Sequence, residues 1–298
     1  MFEKLFAESG LSLDRLKSLL EVGAAGSIVK AANGDPVRQS QYSRQIKELE
    51  DFFRVKLIER QGKGARLTAS GRELARISRF FLLGLSNFQR GNSAEEQTFR
   101  IGASATFTRQ FLLPILAPSQ KPGASYATEI VSDSEIERRL HDLTLDFGIV
   151  GSAAISRPLQ TNVLGAWKLG LWLPPALRLD EAGARRSFQE QRLPLAAARN
   201  ELEGLALPAL VNYPTQLVCS NFLEARTAVE QGELGAFLPD FLVAHTKSKS
   251  FVRVRIPKVD SQTFYFHLAW NPRLLRLNPH AGRRGELLAR LLKARLAR

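Results

Sequence analysis

The stretch Asn33-Gly34-Asp35-Pro36-Val37-Arg38-Gln39-Ser40-Gln41-Tyr42-Ser43-Arg44-Gln45-Ile46-Lys47-Glu48-Leu49-Glu50-Asp51-Phe52-Phe53 decides the fold. Asn33 to Pro36 is a turn signal, and Asp35 followed by Pro36 has the chemistry of a helix N-cap and first helical residue. Tyr42, Ile46, Leu49 and Phe53 then recur at spacings of 4, 3 and 4, the apolar stripe of a helix. At about 100° per residue, Ser40, Arg44 and Lys47 fall on the opposite, solvent face. Upstream, Leu13, Leu16 and Leu20 predict another helix, opened by Ser12 or Asp14 and ended by Gly23-Ala24-Ala25-Gly26. Ser27 is placed to cap a short second helix, whose Ala31 and Ala32 permit close packing. Helix, tight turn and helix with a basic, polar outer face make the shape of a DNA-reading helix-turn-helix.

Further along, Val55 to Arg60 and Ala65 to Thr68 flank Gln61-Gly62-Lys63-Gly64 and read as a hairpin, the wing of a winged helix-turn-helix. Thr68 then caps a long helix through about Phe88. Its stripe of Leu74, Ile77, Phe81, Leu85 and Phe88 is too apolar for a lone exposed helix and predicts packing against another copy. Gly91 to Gln97 is polar and reads as a linker. Beyond it, Phe99–Ser104, Ala127–Val131, Leu145–Val150 and Leu169–Leu173 are strand-like, while Ser134–Leu140 is helical. That order predicts an α/β fold with a largely parallel sheet, whose ligands sit outside the carboxyl ends of the strands.

Composition bounds the rest. The 298 residues suit two domains, and Lys plus Arg number 42 against 29 acidic residues, a net charge of +13. Residues 1–92 hold 16 basic and 10 acidic residues, the remainder 26 and 19, so the first third is the more basic per residue. This excess suggests a polyanionic partner. The single cysteine, Cys219, excludes an intramolecular disulfide or a cysteine zinc cluster and reads as a packed small residue. Scattered histidines and serines give no metal spacing and no nucleophile–base pattern, so neither metal nor cofactor nor catalysis is expected. There is no apolar run of about 18 residues and no secretory leader, so the expected place is the cytoplasm, away from the membrane. The basic run Arg283, Arg284, Arg290, Lys293, Arg295 and Arg298 reads as a solvated amphipathic helix.

Residues 12–71 resemble the DNA-binding domain of LysR-type transcriptional regulators. The resemblance rests on Gly26-Ser27, Ala31-Ala32, Gln39, Ser43-Arg44-Gln45-Ile46-Lys47, Leu49-Glu50, Leu57-Ile58-Glu59-Arg60 and Arg66-Leu67-Thr68-Ala69-Ser70-Gly71. Ile101-Gly102-Ala103-Ser104 with Leu112-Leu113-Pro114, Leu145 to Val150, and Gly232 to Pro239 are similar to that family's effector domain. The fold so implied is an all-α winged helix-turn-helix (1–70), a linker and dimerisation helix (71–92), and an α/β, two-lobed domain like type 2 periplasmic binding proteins (98–298). Its first lobe covers about 98–168 and 271–298, its second about 169–270. Three departures stand out. Asp35 replaces a usual leucine, Arg38-Gln39-Ser40 replaces a Ser-Gln-Pro start, and Ser104–Leu113 is one residue longer than the family pattern.

The function so implied is sequence-specific DNA binding controlled by a small effector between the lobes. The partners implied are double-stranded DNA, further copies of the chain in a dimer or tetramer, an unidentified effector, and RNA polymerase. On the recognition helix the candidate contacts are Arg38, Gln39, Ser40, Gln41, Ser43, Arg44 and Lys47. Gln can read adenine and Arg guanine, whereas Lys47 suits phosphate. Tyr42 and Ile46 belong to the core by their spacing. Arg60, Lys63 and Arg66 of the wing suit the backbone or minor groove, the bland reading being a solubilising tip. Ser27 fits a helix cap that also presents N–H groups to phosphate. For the effector, Ser104, Thr106, Gly151, Ser152 and Asn212 are candidates. Hydroxyls and N–H groups at a helix start suit a carboxylate or phosphate, with Arg109, Arg199 or Arg226 as counter-charge; simple capping is the plainer alternative. The alternative function is a DNA-binding oligomeric regulator whose second domain binds no effector.

Overall fold

A computed structural model describes residues 3, 5, 10–61, 64–91, 97–117, 124–151, 155–203, 205, 207, 213–244 and 251–297. The chain divides into two compact units, Met1–Ala94 and Glu95–Arg298.

In the first unit, local chemistry sets each helix end. Helix α1 (Leu13–Ala25) opens with the Ser12 hydroxyl accepting from the Arg15 N–H at 3.3 Å and stops at Gly26, which takes the left-handed φ of 65°. After the single turn of α2 (Ile28–Ala31), α3 (Pro36–Phe53) opens as its sequence predicts. The Asp35 carboxylate accepts from the N–H groups of Val37 (2.8 Å) and Arg38 (3.4 Å), and Pro36 occupies the first turn. Leu16, Leu19, Leu49, Leu57 and Ala75 form the core, with Phe53, Leu67 and Leu74 packed against it. Ile46 is also buried. Tyr42 is only half buried, because its hydroxyl donates to the Glu21 carboxylate at 2.6 Å. The stripe therefore leaves the core one turn earlier than its spacing predicts.

The hairpin pairs β1 (Ile58–Gln61) with β2 (Gly64–Leu67), Ile58 opposite Leu67 and Glu59 opposite Arg66. Thr68 joins it to α4 (Ala69–Gly91): its hydroxyl accepts from the Gly71 N–H at 3.0 Å and donates to the Lys56 carbonyl at 2.6 Å. A Cβ at position 71 would stand 2.0 Å from the Leu57 carbonyl oxygen, so only glycine lets α4 cross there.

The second unit holds two five-stranded sheets. In the first the order is β4 (Ala124–Ile130), β3 (Gln97–Ala103), β5 (Phe147–Val150), β12 (Phe264–Trp270), β6 (Gln160–Trp167). In the second it is β11 (Val252–Val254), β7 (Leu169–Leu173), β10 (Gly235–Pro239), β8 (Leu195–Ala198), β9 (Leu217–Cys219). Both sheets are mixed, contrary to the expected parallel sheet. β3 runs parallel to β4 and β5, and β8 parallel to β9 and β10, but β12 and β7 are antiparallel to both their neighbours. β7 follows β6 through Lys168 alone and β12 returns from the second sheet, so neither follows a crossover helix within its own sheet, and parallel pairing needs one. The return crossing also corrects the expected lobe limit: Phe264–Trp270 pairs with β5 and β6 and so belongs to the first lobe.

The helices of this unit are α5 (Ala105–Phe107), a π-helical segment Thr108–Leu112, α6 (Leu113–Leu116), α7 (Asp133–His141), α8 (Glu181–Gln189), α9 (Arg199–Glu203), α10 (Phe222–Gln231), α11 (Asp240–Val243), α12 (Pro257–Asp260), α13 (Pro272–Leu277) and α14 (Pro279–Leu296). The π-helical segment lies inside Ser104–Leu113, the stretch read as one residue too long. Its wider turn takes up an extra residue between two α-helical flanks. Each lobe has its own apolar core: Ile136, Leu140, Leu145 and Val150 contribute to the first, Leu171, Leu195, Phe237 and Val254 to the second.

Candidate functional site

Two surfaces collect the candidate residues, one in each unit. On α3, Arg38, Ser40, Gln41, Ser43, Arg44 and Lys47 are exposed, with Ser40, Arg44 and Lys47 opposite the buried Ile46, Leu49 and Glu50. Gln39 is half buried. Arg44 is 73% exposed and reaches the Glu48 carboxylate only at 3.9 Å; Arg38 is equally distant from Asp35. Exposed pairs of that length contribute little, so both guanidinium groups are available to a partner. Ser27 stands at the N-cap position of α2 but makes no capping bond and is buried, so capping does not explain it. On the wing, Arg66 is exposed on β2 and Arg60 is placed on β1, while Lys63 lies outside the described residues. The Ala65 N–H donates to the Gly26 carbonyl at 3.2 Å, tying the wing to the turn after α1.

Glu50, which the sequence reading places only in the family pattern, joins α3 to the wing. Its buried carboxylate accepts from the N–H groups of Leu57 (2.8 Å) and Ile58 (3.3 Å) and from the Lys56 ammonium (2.8 Å). Burial alone would raise its pKa, but the Lys56 ammonium and the two N–H groups outweigh that and hold it below the usual carboxylate range. The available signal was an acid four residues after Ile46, on the apolar face. Along α4, Ile77, Phe81, Leu85 and Phe88 remain 52, 48, 43 and 75% exposed. A run of exposed large apolar side chains along one helix marks an interaction surface.

The second surface is a cavity of about 800 Å³ between the two sheets of the second unit. Of the residues read as effector candidates, Ser104, Thr106 and Gly151 line it; Ser152 and Asn212 lie outside the described residues. The Ser104 hydroxyl caps α5 by accepting from the Phe107 N–H at 3.2 Å. Thr106 is buried, and its hydroxyl donates at 2.7 Å to Glu201 of α9, which also accepts from the Phe222 N–H at 2.6 Å. A carboxylate of the chain thus occupies the helix start read as an anion site, and it bonds across from one lobe to the other.

Asp133 and Glu137 also line the cavity. Burial pushes the Asp133 carboxyl above its usual range and the Glu201 charge adds to this, against the pull of the Gly151 N–H, which donates to it at 2.6 Å. Glu137 is held below its usual range by the hydroxyl and N–H of Ser156. Among the described residues no Lys, Arg or His lines this cavity. Arg109 lies on an adjoining groove of about 480 Å³ that shares Ala105, Ile130 and Asn221 with the cavity, Arg226 pairs with Glu230 at 2.9 Å, and Arg199 starts α9 with a partner of its own. The counter-charge expected for an anion is therefore not among the described lining residues. The apolar wall is aromatic: Trp167 stacks on Phe266 at 5.4 Å, and Phe107 meets Phe266 edge-on at 4.7 Å. No group of His, Cys, Asp and Glu among the described residues could hold a metal ion. Cys219 is buried although Val218 beside it is exposed, and burial pushes its thiol up.

The sequence matches two family descriptions: bacterial regulatory helix-turn-helix protein, lysR family, over residues 13–72, and LysR substrate binding domain over residues 92–290. It is 26% identical over 201 residues to the HTH-type transcriptional regulator HdfR of Salmonella newport, covering 63% of this chain and 72% of HdfR. Full-length OxyR from Pseudomonas aeruginosa superimposes with a TM-score of 0.69 at 20% identity, over 96% of this chain and 95% of OxyR. ArgP from Mycobacterium tuberculosis gives 0.64 at 19% identity, over 92% and 97%. The two structures share the fold. Among the described residues no helix is long and apolar enough to cross a membrane.

Proposed function

The chain belongs to the LysR family of DNA-binding transcription regulators, and from that premise we propose how its own residues carry the function. α3 enters the major groove with Gln39, Ser40, Gln41, Ser43 and Arg44 towards base edges and Arg38 and Lys47 towards phosphate. The exposed polar face opposite Ile46 and Leu49 supports this. Arg60, Lys63 and Arg66 bring the wing to the backbone or minor groove, and Ser27 belongs to the same contact surface at the start of α2. Ile77, Phe81, Leu85 and Phe88 of α4 pack against a second copy, so that two copies of α3 read two half-sites; tetramers follow from further pairing.

The effector site is the cavity between the lobes, lined by Ser104, Thr106 and Gly151, with Ser152 and Asn212 as further candidates. The observation that carries its chemistry is the lining: three carboxylates, an aromatic wall, and no cation among the described residues. That lining suits a ligand bearing an amine or another positive group, because cations gain from both carboxylates and aromatic faces. Such a ligand regulates only by binding one lobe arrangement better than the other. A thermal-shift panel of amines, neutral compounds and carboxylates tests this: stabilisation confined to amines is expected, and stabilisation by carboxylates alone overturns the assignment.

One observation favours the second reading, a regulatory domain without an effector. Glu201 already bridges the lobes as a bound acid would. A full panel with no shift, together with unchanged DNA binding, decides for it.

A further inference from the structure

The charge of the second region is unevenly placed. Residues 93–298 hold 26 basic and 19 acidic residues, of which 8 basic and one acidic fall in 272–298. That leaves 18 of each in 93–271, so the whole positive excess of the region lies in its last 27 residues. These form α13 and α14. Elsewhere in the unit several arginines are matched, Arg138 with Glu135, Arg139 with Glu129, Arg185 with Glu181, Arg226 with Glu230 and Arg253 with Asp260, while others with no ion pair among the described residues, such as Arg109, Arg157, Arg178 and Arg186, are scattered among an equal number of acids. In 272–298, Arg276, Arg283, Arg284, Arg290, Lys293 and Arg295 form no ion pair among the described residues, and all but the half-buried Arg284 are exposed. Among the described residues Lys293 has only the Asn162 amide oxygen, at 3.0 Å.

We propose that the solvent face of α14, with Arg283, Arg290 and Lys293 along it and Arg276 at the end of α13, is a second DNA-backbone contact, used alongside the recognition helix. Ala281, Gly285, Leu288 and Leu292 are buried on one side of α14, and at about 100° per residue Arg283 and Arg290 point directly away from it. At about 1.5 Å per residue, Arg283 to Lys293 spans about 15 Å, the length of several phosphates along one strand. The helix dipole explains Lys293 and Arg295 in the last turn, but not Arg283 and Arg284 nearer the positive end. The apolar face of α14 is committed to the core, which leaves no hydrophobic face to insert into a lipid surface. DNA held by the first unit is joined to the second through the same chain, and tethering raises effective concentration.

The test uses the full chain and fluorescence anisotropy across a salt series, on duplexes of about 60 and about 20 base pairs containing the same binding site, the longer one able to reach beyond the recognition helices. The variant is Arg283→Gln/Arg290→Gln/Lys293→Gln. Each lost phosphate contact flattens the slope of log K against log salt by about 0.9. The expected result is a slope flatter by about two to three and a loss of at least about tenfold at low salt on the long duplex, with the short one unchanged. A slope unchanged on the long duplex overturns the proposal, and so does an equal loss on both duplexes. A control, Arg157→Gln/Arg178→Gln/Lys258→Gln, removes the same charge from exposed positions in the neutral part of the unit. A loss equal to that of the α14 variant would reduce the effect to net charge and overturn the proposal, as would unchanged DNA binding with affinity for anionic vesicles that the α14 variant loses.

Discussion

Glu50→Ala separates the wing from the recognition helix without touching any surface that faces DNA. The substitution removes the acceptor of the Leu57 N–H at 2.8 Å and the Ile58 N–H at 3.3 Å. The first donor is buried and has no alternative partner; the second is longer and closer to water. A hydrogen bond to a charged group contributes about 1.5–3 kcal/mol, and a stranded buried donor costs about 1–3 kcal/mol. The Lys56 side chain is 80% exposed, so that ion pair adds little. A loss of about 2–4 kcal/mol in the first unit follows. Denaturant unfolding measures it, and the two units can be told apart: Trp167, Trp172 and Trp270 all lie in the second, so tryptophan fluorescence follows that unit while circular dichroism follows both. The dichroism transition should move and the fluorescence transition should stay. The pH dependence has a definite sign. The folded pKa of Glu50 lies below its unfolded value, so its stabilisation is full above the unfolded carboxylate range and is lost as pH falls through the folded pKa. Glu50→Gln, which never ionises, should therefore differ most from wild type near neutrality and converge with it in acid. A change within about 0.5 kcal/mol for Glu50→Ala would refute the reasoning.

Other perturbations separate the remaining assignments. Arg44→Ala should weaken specific DNA binding by about 1–3 kcal/mol with little change on scrambled DNA; equal losses on both assign it to phosphate. Phe81→Ser/Phe88→Ser should remove about 3–6 kcal/mol from self-association, seen by light scattering as a lower mass at micromolar concentration; an unchanged mass excludes this face as the interface. Glu201→Ala should lower the tryptophan-monitored stability of the second unit by about 2–4 kcal/mol by stranding the Thr106 hydroxyl and Phe222 N–H, and an unchanged midpoint removes Glu201 as a bridge between lobes.

The first unit was legible because its signals are local. Asp35 and Pro36 carry their capping chemistry in adjacent positions, and the apolar spacing through Ile46 and Leu49 needs only helix geometry. Where the reading went astray, tertiary contact intervened. Tyr42 fits the stripe, but Glu21 of another helix offers its hydroxyl a partner at the rim. Glu50 looks like an ordinary helix-surface acid until Leu57 and Ile58 fold back onto it. In the second unit the central strands announce themselves by continuous apolar runs such as Leu169–Leu173. Pairing direction is not written in such a run, so the antiparallel placement of β12 and β7 emerges only when the chain crosses twice between sheets.

The sign of the cleft is the deepest of these non-local properties. Ser104 and Thr106 at a helix start suit an anion when considered alone. Glu201 lies 95 residues from Thr106 in sequence, and nothing in Asn200-Glu201-Leu202 says where its carboxylate goes. Once it reaches the start of α5, and Asp133 and Glu137 join the same lining, the cleft is acidic inside a chain of net charge +13. The two signs serve different partners. Exposed basic groups on α3 and α14, and Arg66 on the wing, suit the proposed contact with a polyanion, which carries a strong salt dependence. The cleft carboxylates are buried or hydrogen-bonded, so salt screens them less and they favour a small cation over any stretch of DNA. On the proposed function, keeping the two charges on separate surfaces would let an effector alter the lobe arrangement without competing directly for the groups proposed to hold DNA.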